Sequence, residues 1–378
     1  MAIPAIPAQG APWLSYAQGL DDEIRTGRLS DTALRAAFER RPAPLTGTTV
    51  RAYGDSFLVD IGNFPTNQGI APIVAGRVSA SSLVNGAIGG TTMGQALSGL
   101  IDGSGIWTPG THGLIILKAV VNSVANVDAA SDAQEKIGFA EALRSILCIL
   151  RSSAWVNEDV TTNQTLSAGQ WAPVTVPIIR GGSIVKATQN GATVTITTTA
   201  SEIDLTMLTF PNAATARFKV TVNGGYHGAG TTQNQGSPST SYHHMVYRVT
   251  GLTGTSTVVL THDDTTGLEL YYDGYLTAST QPPGVVVCLD AAPTTAGLQI
   301  NGATANRTAA NLDAFNDLII GVCSEFDDLV RVADPRPRFN NANDRVTDQL
   351  HPNAIGAAKY ADAIYAQAIQ LPASAGLL

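Results

Sequence analysis

Charge is scarce in this chain. Only 14% of its 378 residues are Asp, Glu, Lys or Arg, against ~25% in ordinary globular domains. Disorder does not explain the shortage, because 44% of the residues are hydrophobic and disordered chains combine low hydrophobicity with high charge. Positive charge is scarcer still: 22 Lys and Arg stand against 30 Asp and Glu, a net charge of −8. No basic cluster occurs, which argues against a nucleic-acid partner. Cysteine is limited to Cys148, Cys288 and Cys323, an odd count with each in an apolar run. They read as buried free thiols rather than a disulfide framework. The six histidines show no metal-ligand spacing with cysteine, so neither metal nor cofactor is expected. No apolar run reaches the ~18 residues of a membrane span. The start, Met1-Ala2-Ile3-Pro4, lacks a basic segment followed by an apolar one, so no secretory signal is expected.

What is present is organised in blocks. The length allows about two domains at ~100–200 residues each. Residues 1–44 read as an arm with one short helix that Ser30 could cap and Pro42 and Pro44 would stop. From Thr48 the pattern is α/β. TVRAYGDSFLVDIG is a strand that runs into a turn and a helix start. SSLVNGAIGGTTMGQALSGLI is a strand, a Gly-rich turn and a helix, and HGLIILKAVVNSV is an apolar strand of the buried parallel type. Residues 129–153 read as a helix, with Ile137, Ala140, Leu143, Ile146, Leu147 and Leu150 on one face.

The character then changes. Between Trp155 and Pro283 charges are few, and Thr, Val, Gly and Asn dominate. The short alternating runs separated by Gly, Asn and Asp turns predict an all-β module of about eight strands, a sandwich or jelly roll. After it the α/β pattern resumes with the strand PPGVVVCLDAAP, a helix over 306–325 with Leu312, Phe315, Leu318, Ile319 and Val322 inward, a strand at 329–334 and a helix over 353–371. The economical reading is one α/β domain, 45–151 plus 284–378, interrupted by a β domain at 152–283. Insertion at a surface connection adds little loop-closure entropy.

Four segments could carry chemistry. Gly54-Asp55-Ser56 follows the first strand, at the carboxyl end of a parallel sheet where open α/β folds place their sites. A helix N-terminus there would favour an anion, although the same residues read equally as a plain N-cap. Asp348 lies three residues before His351, the spacing at which a carboxylate can orient an imidazole and leave its far nitrogen as a base. Alone, the pair also reads as surface loop residues. Asn85 to Thr92 is a Gly-rich turn whose backbone N–H groups could face a substrate oxygen. It lacks the spacing and the lysine of a phosphate-binding loop. Asn122, at the end of the third strand, offers an amide donor.

Together, and in this order, GDS, N-x-x-x-x-G-x-T, the strand-end Asn and D-x-x-H-P-N resemble the SGNH hydrolase family, the GDSL esterases and lipases. The resemblance covers the α/β residues. It implies a three-layer, flavodoxin-like core with helices on both faces of a parallel sheet. It makes Ser56 the nucleophile, His351 the base and Asp348 its orienting carboxylate. Gly90 and Asn122 would join the Ser56 backbone N–H in an oxyanion hole, with Gly90 preferred over Gly89. The family's Gly-x-Asn-Asp block is here Val120-Val121-Asn122-Ser123, a departure that touches the oxyanion pocket. The implied activity is hydrolysis of O-acyl esters through an acyl-enzyme.

The β module contributes Tyr226, His227, Tyr242, His243, Tyr247, Tyr271, Tyr272 and Tyr275. Aromatic faces with polar neighbours suit sugars, and Tyr226, Tyr242, His243 and Tyr272 are the candidate substrate contacts. The same residues at alternating positions also suit a sandwich core. The module looks like the carbohydrate-binding jelly rolls that accompany polysaccharide esterases. Asp263, Asp264 and Asp273 read as solvated turn carboxylates rather than calcium ligands. The arm segment from Leu29 to Phe38 resembles tail proteins of actinobacterial phages. That resemblance implies a virion tail, with other tail proteins or a second copy of the chain as partners, acting on an acylated polysaccharide at the host surface. Otherwise the chain would be cytoplasmic or exported by another route. The competing readings are a lipolytic esterase with the module as a lid, and a non-enzymatic receptor-binding protein on a degenerate scaffold.

Overall fold

The computed structural model describes residues 45–59, 68–101, 110–125, 132–175, 182–209, 216–227, 233–234, 243–300, 306–372 and 375–377. The helix expected in the arm and the side chain of Tyr242 lie outside the described residues.

Five strands, β1 (Thr49–Gly54), β2 (Ser82–Asn85), β3 (Leu114–Lys118), β16 (Gly284–Cys288) and β17 (Val330–Ala333), form one sheet in the order β17-β16-β3-β1-β2. Each neighbouring pair is parallel. The apolar runs LIILK and GVVVC form its centre and are buried throughout, as expected of a sheet covered on both faces. Alternation sorts their side chains. Ile115, Leu117, Val285 and Val287 pack with Leu97, Leu147 and Phe315. These three come from α2 (Met93–Ile101), α4 (Asp132–Arg151) and α6 (Ala309–Cys323). Leu114, Ile116, Val286 and Cys288 pack on the opposite face with Val74, Tyr360 and Ile364. Those belong to α1 (Ile70–Arg77) and α7 (Ala354–Ala368). Two short helices, α3 (Val121–Ala125) and α5 (Thr295–Leu298), follow β3 and β16. The period of two thus builds a layer of helices on each side.

The helix expected over 129–153 is α4. Leu143, Ile146, Leu147 and Leu150 are buried on it, whereas Ile137 is 40% exposed and stands off the packed face. All three cysteines are buried and unpaired. Among the described residues no helix is long and apolar enough to cross a membrane.

Between α4 and β16 the described residues form twelve strands rather than about eight. They are β4 (Ser152–Val156), β5 (Gln164–Leu166), β6 (Trp171–Thr175), β7 (Ser183–Ala187), β8 (Thr193–Thr198), β9 (Glu202–Thr209), β10 (Arg217–Val222), β11 (Gly225–Tyr226), β12 (Gln233–Asn234), β13 (His243–Thr250), β14 (Ser256–His262) and β15 (Leu270–Ala278). Strands of two or three residues are too short to show a period. Two six-stranded antiparallel sheets result. One runs β11-β10-β14-β8-β5 with β12 beside β10, and the other β13-β9-β15-β7-β6 with β4 beside β15. Val194, Phe218 and Leu260 of the first share a core with Leu205, Met207 and Tyr272 of the second, so the two sheets form a sandwich.

The sandwich is packed against the parallel-sheet unit. Val246 of β13 and Leu276 of β15 belong to the same core as Leu143 and Leu147 of α4. Ser145 Oγ donates to the His244 carbonyl at 3.2 Å. The Arg248 guanidinium donates to Glu202 Oε1 at 2.6 and 3.1 Å and to the Glu325 carbonyl at 2.6 Å. It lies 4.0 Å from the centre of the Phe326 ring. Arg248→Ala removes charge-assisted bonds on both sides of this seam. A loss of about 1.5–3 kcal/mol is expected, read as a lower melting temperature and faster proteolysis between the two units.

Candidate active site

The site is built where β1 and β3 end. Gly54 closes β1 at φ +140, and a Cβ there would stand 1.6 Å from the Lys118 carbonyl oxygen. Only glycine fits this approach. The Asp55 N–H then donates to that carbonyl at 2.8 Å, and the chain turns through a Leu58 N–H to Asp55 carbonyl bond of 3.1 Å. Asp55 Oδ1 accepts the Phe57 N–H at 3.0 Å. Ser56 sits at the tip of this single turn. Among the described residues no helix opens at Ser56: residues 55–59 form a turn, and the next described helix is α1, beginning at Ile70. The turn's own hydrogen bonds orient the serine.

The second half arrives from the loop before α7. Asn353 caps that helix, accepting from the Ile355 and Gly356 N–H groups at 3.0 Å each. Asp344, buried, accepts Lys359 Nζ at 2.7 Å. Arg345 donates to the Ala291 carbonyl at 2.7 Å and to the Leu350 carbonyl. The Val346 N–H donates to the His351 carbonyl at 3.0 Å. A loop pinned this often presents Asp348 and His351 in one geometry.

That geometry brings three of the candidate residues together. Ser56 Oγ and His351 Nε2 are 2.8 Å apart. His351 Nδ1 and Asp348 Oδ2 are 2.7 Å apart. Asp348 Oδ1 accepts the Leu350 and His351 backbone N–H groups at 2.8 and 2.9 Å. Partial burial pushes the Asp348 carboxyl upward, but the bonds from the His351 ring and the two N–H groups outweigh it and hold it below the usual carboxylate range. Asp348 therefore remains an anion, which favours the His351 tautomer protonated at Nδ1. Nε2 is then the acceptor for the serine hydroxyl.

The remaining site residues stand around this group. Asn122 is not at a strand end. It lies in the first turn of α3, four residues past β3, and its Nδ2 donates to the Thr91 carbonyl at 3.3 Å. Thr91 N–H donates to the Ile88 carbonyl at 3.2 Å, and Gly90 takes φ +82, the pattern of a type II turn. The Gly90 N–H is outside that turn's hydrogen bond. Gly89 makes the nearer approach: a Cβ built on it would stand 3.9 Å from Ser56 Cβ.

Sequence reasoning missed the groups beneath Ser56. Lys118 Nζ, with no exposure, lies 2.7 Å from Asp290 Oδ1 and 3.3 Å from Asp55 Oδ2. It also stands 3.5 Å from the centre of the Phe57 ring. Burial works against the ammonium, but the two carboxylates outweigh it and raise Lys118 above its ordinary range. Burial pushes the Asp55 carboxyl up to about 6, against the pull of Lys118. The signal was available: Asp55, Lys118 and Asp290 each close an apolar strand run, where a charge must find a partner.

The sandwich candidates separate. Tyr226 is 61% exposed. His227 Nδ1 and the half-buried Tyr247 hydroxyl are 3.2 Å apart. Tyr272 is not a surface contact: it is fully buried and donates to Gln164 Oε1 at 2.9 Å. Tyr271 and Tyr275 are buried as well: Tyr271 packs with Ile184 and Leu208, and Tyr275 joins Tyr272 in the sandwich core beyond a register shift in β15. His243 starts β13, in register with Thr209. Asp263 is 3.4 Å from Lys219 Nζ, Asp264 Oδ1 accepts the Thr266 N–H at 2.7 Å, and Asp273 is buried 3.5 Å from His244 Nε2. Among the described residues no group of three or more His, Cys, Asp and Glu could hold a metal ion.

No family model matches the chain, and no curated protein does either. Among solved structures it is similar to a two-domain esterase active on acetylated mannans, at 10% identity and a TM-score of 0.32, over 65% of this chain and 94% of that one. A CBM36-1 domain of a multidomain xylanase from the hindgut metagenome of Trinervitermes trinervoides overlaps 31% of this chain and 91% of its own, at 19% identity and a TM-score of 0.24. A family 35 carbohydrate-binding module from Clostridium thermocellum overlaps 33% of this chain and 98% of its own, at 13% identity and a TM-score of 0.27. With scores this low, function rests on the chain's own residues.

Gly54→Ala forces a methyl group into the Lys118 carbonyl and strains φ. The variant is expected to yield no folded protein, read by soluble expression and circular dichroism. Wild-type folding by the variant would contradict this close approach of β1 to β3.

Proposed function

We propose that the chain is a serine esterase of the SGNH type, hydrolysing O-acyl esters, above all O-acetyl, on a cell-envelope polysaccharide. The observation that carries this reading is the hydrogen-bonded series from Ser56 through His351 to Asp348, at 2.8 and 2.7 Å. The strand order, 2-1-3-4-5 when the parallel strands alone are counted, is that of flavodoxin-like folds and supports the same family. The organisation proposed is a core of 45–151 plus 284–378 interrupted by a module at 152–283.

His351 Nε2 takes the Ser56 proton as Oγ attacks the ester carbonyl. The tetrahedral oxyanion is met by the Ser56 N–H, the Gly90 N–H and the Asn122 amide. Its collapse expels the sugar hydroxyl, which receives the proton from His351. Water, deprotonated by the same imidazole, then attacks the acyl-enzyme, and carboxylic acid leaves. The place of Asn122 beside the 88–91 turn supports its role as a donor despite the altered block around it.

The polysaccharide part of the proposal is supported by a sandwich low in charge, with Tyr226 exposed at its edge and packed firmly onto the hydrolase core. That seam disfavours a mobile lid over a lipid substrate. The intact Ser56, His351 and Asp348 geometry disfavours a purely receptor-binding protein.

Ser56→Ala and His351→Ala are expected to lower aryl acetate hydrolysis by at least ~10³-fold, and Asn122→Ala by ~10²–10³-fold in kcat. Release of acetate from acetylated glycans by wild type but not by Ser56→Ala supports the reading. Undiminished turnover by Ser56→Ala sinks it, and preference for long-chain over short-chain nitrophenyl esters would favour a lipolytic enzyme instead.

A further inference from the structure

We propose that Lys118 is a positioning residue for the nucleophile, one that grips the Ser56 turn from both its main chain and its side chain. The inference rests on the serine-esterase reading of the site.

Lys118 holds Asp55 at two points. Its carbonyl accepts the Asp55 N–H at 2.8 Å, and its ammonium reaches the Asp55 carboxylate at 3.3 and 3.4 Å. The same carboxylate accepts the Phe57 N–H at 3.0 Å. The residues on either side of Ser56 are therefore both tied to Lys118. The Phe57 ring extends the grip. One contact is the ammonium, 3.5 Å from its centre, and another is the His351 ring, with centroids 5.5 Å apart.

The cation is itself anchored. Asp290 lies on the neighbouring strand end, 2.7 Å away. Asn316 clamps the Asp290 backbone, accepting its N–H at 3.0 Å and donating to its carbonyl at 2.9 Å. The Tyr360 hydroxyl donates to Asp290 Oδ1 at 3.3 Å. Three adjacent strand ends, those of β16, β3 and β1, are thus joined by one ammonium that touches the residues on either side of the serine. For stability alone such a cluster is a poor choice, because apolar or neutral groups of the same shape do as well or better. Its distinct property is direction: it fixes the angle of a turn whose hydroxyl must stay within reach of one imidazole nitrogen.

The test is the rate of labelling by a fluorophosphonate. Ser56 Oγ attacks phosphorus, an O–P bond forms, fluoride leaves and His351 takes the proton. Two variants are compared with wild type. Asp55→Asn keeps the acceptor for the Phe57 N–H and leaves Lys118 paired with Asp290, but removes the charged grip. The neutral triple variant Lys118→Met, Asp55→Asn, Asp290→Asn removes the whole cluster without leaving a lone buried charge. Labelling and kcat for an aryl acetate are expected to fall about ten- to a hundredfold in Asp55→Asn and at least as far in the triple variant, with KM unchanged and the melting temperature of Asp55→Asn retained. Should the triple variant not fold, Asp55→Asn decides. A folded Asp55→Asn protein that labels as fast as wild type overturns the inference alone. Wild-type protein that takes up no label overturns the esterase reading and this inference with it.

Discussion

A fully buried ammonium sets the terms for the rest of this structure. Lys118 ends the central strand of the parallel sheet with no exposure to water, so it must be met by charge from its own protein. Asp290 meets it from one neighbouring strand end and Asp55 from the other. That demand places Asp55, and with it the Ser56 turn, at one location on the carboxyl edge of the sheet. The glycine that precedes Asp55 follows from the same constraint, because the Lys118 carbonyl occupies the space a Cβ would need. One residue thus governs where the strand stops, how the chain turns and which way the hydroxyl points.

The opposite half of the site has a different logic. Asp348 and His351 lie on a loop with no regular structure, yet the loop is held by buried Asp344, by Arg345 and by the cap of α7. Precision on a loop requires such second contacts. The sandwich adds a third rigid element, since β13 shares a core with α4 and Arg248 bridges the seam. A ligand held by the sandwich would sit at a fixed distance from the Ser56 turn.

Much of this was legible in the sequence. Buried parallel strands announce themselves as unbroken apolar runs, and LIILK and GVVVC were read so. The three-residue spacing of Asp348 and His351 is local, so its geometry survives folding. Other features depend on contacts distant in sequence. Whether GDS opens a helix or a single turn depends on the Lys118 carbonyl, more than sixty residues away. Asn122 reads as a strand end because the apolar run continues past Lys118, where β3 stops, into α3. Tyr272 and Tyr226 both read as candidate sugar contacts, yet one packs between two sheets and the other stands on an edge strand. Ile137 fits the same helical stripe as Leu143 and Leu147, yet it is 40% exposed while they are buried. The charged strand ends were visible, but their meaning came only with the strand order, which makes Asp290, Lys118 and Asp55 neighbours.

The central claim is that Ser56 carries the acyl group during turnover. Acid-quenching the protein during steady-state hydrolysis of an acetyl ester, then mapping the adduct by peptide mass spectrometry, reads this directly. An acetyl group on the Ser56 peptide, accumulating in wild type and missing from His351→Ala, is the result the account predicts. Turnover at full rate with no acyl group on Ser56, or with the group on another residue, would contradict it.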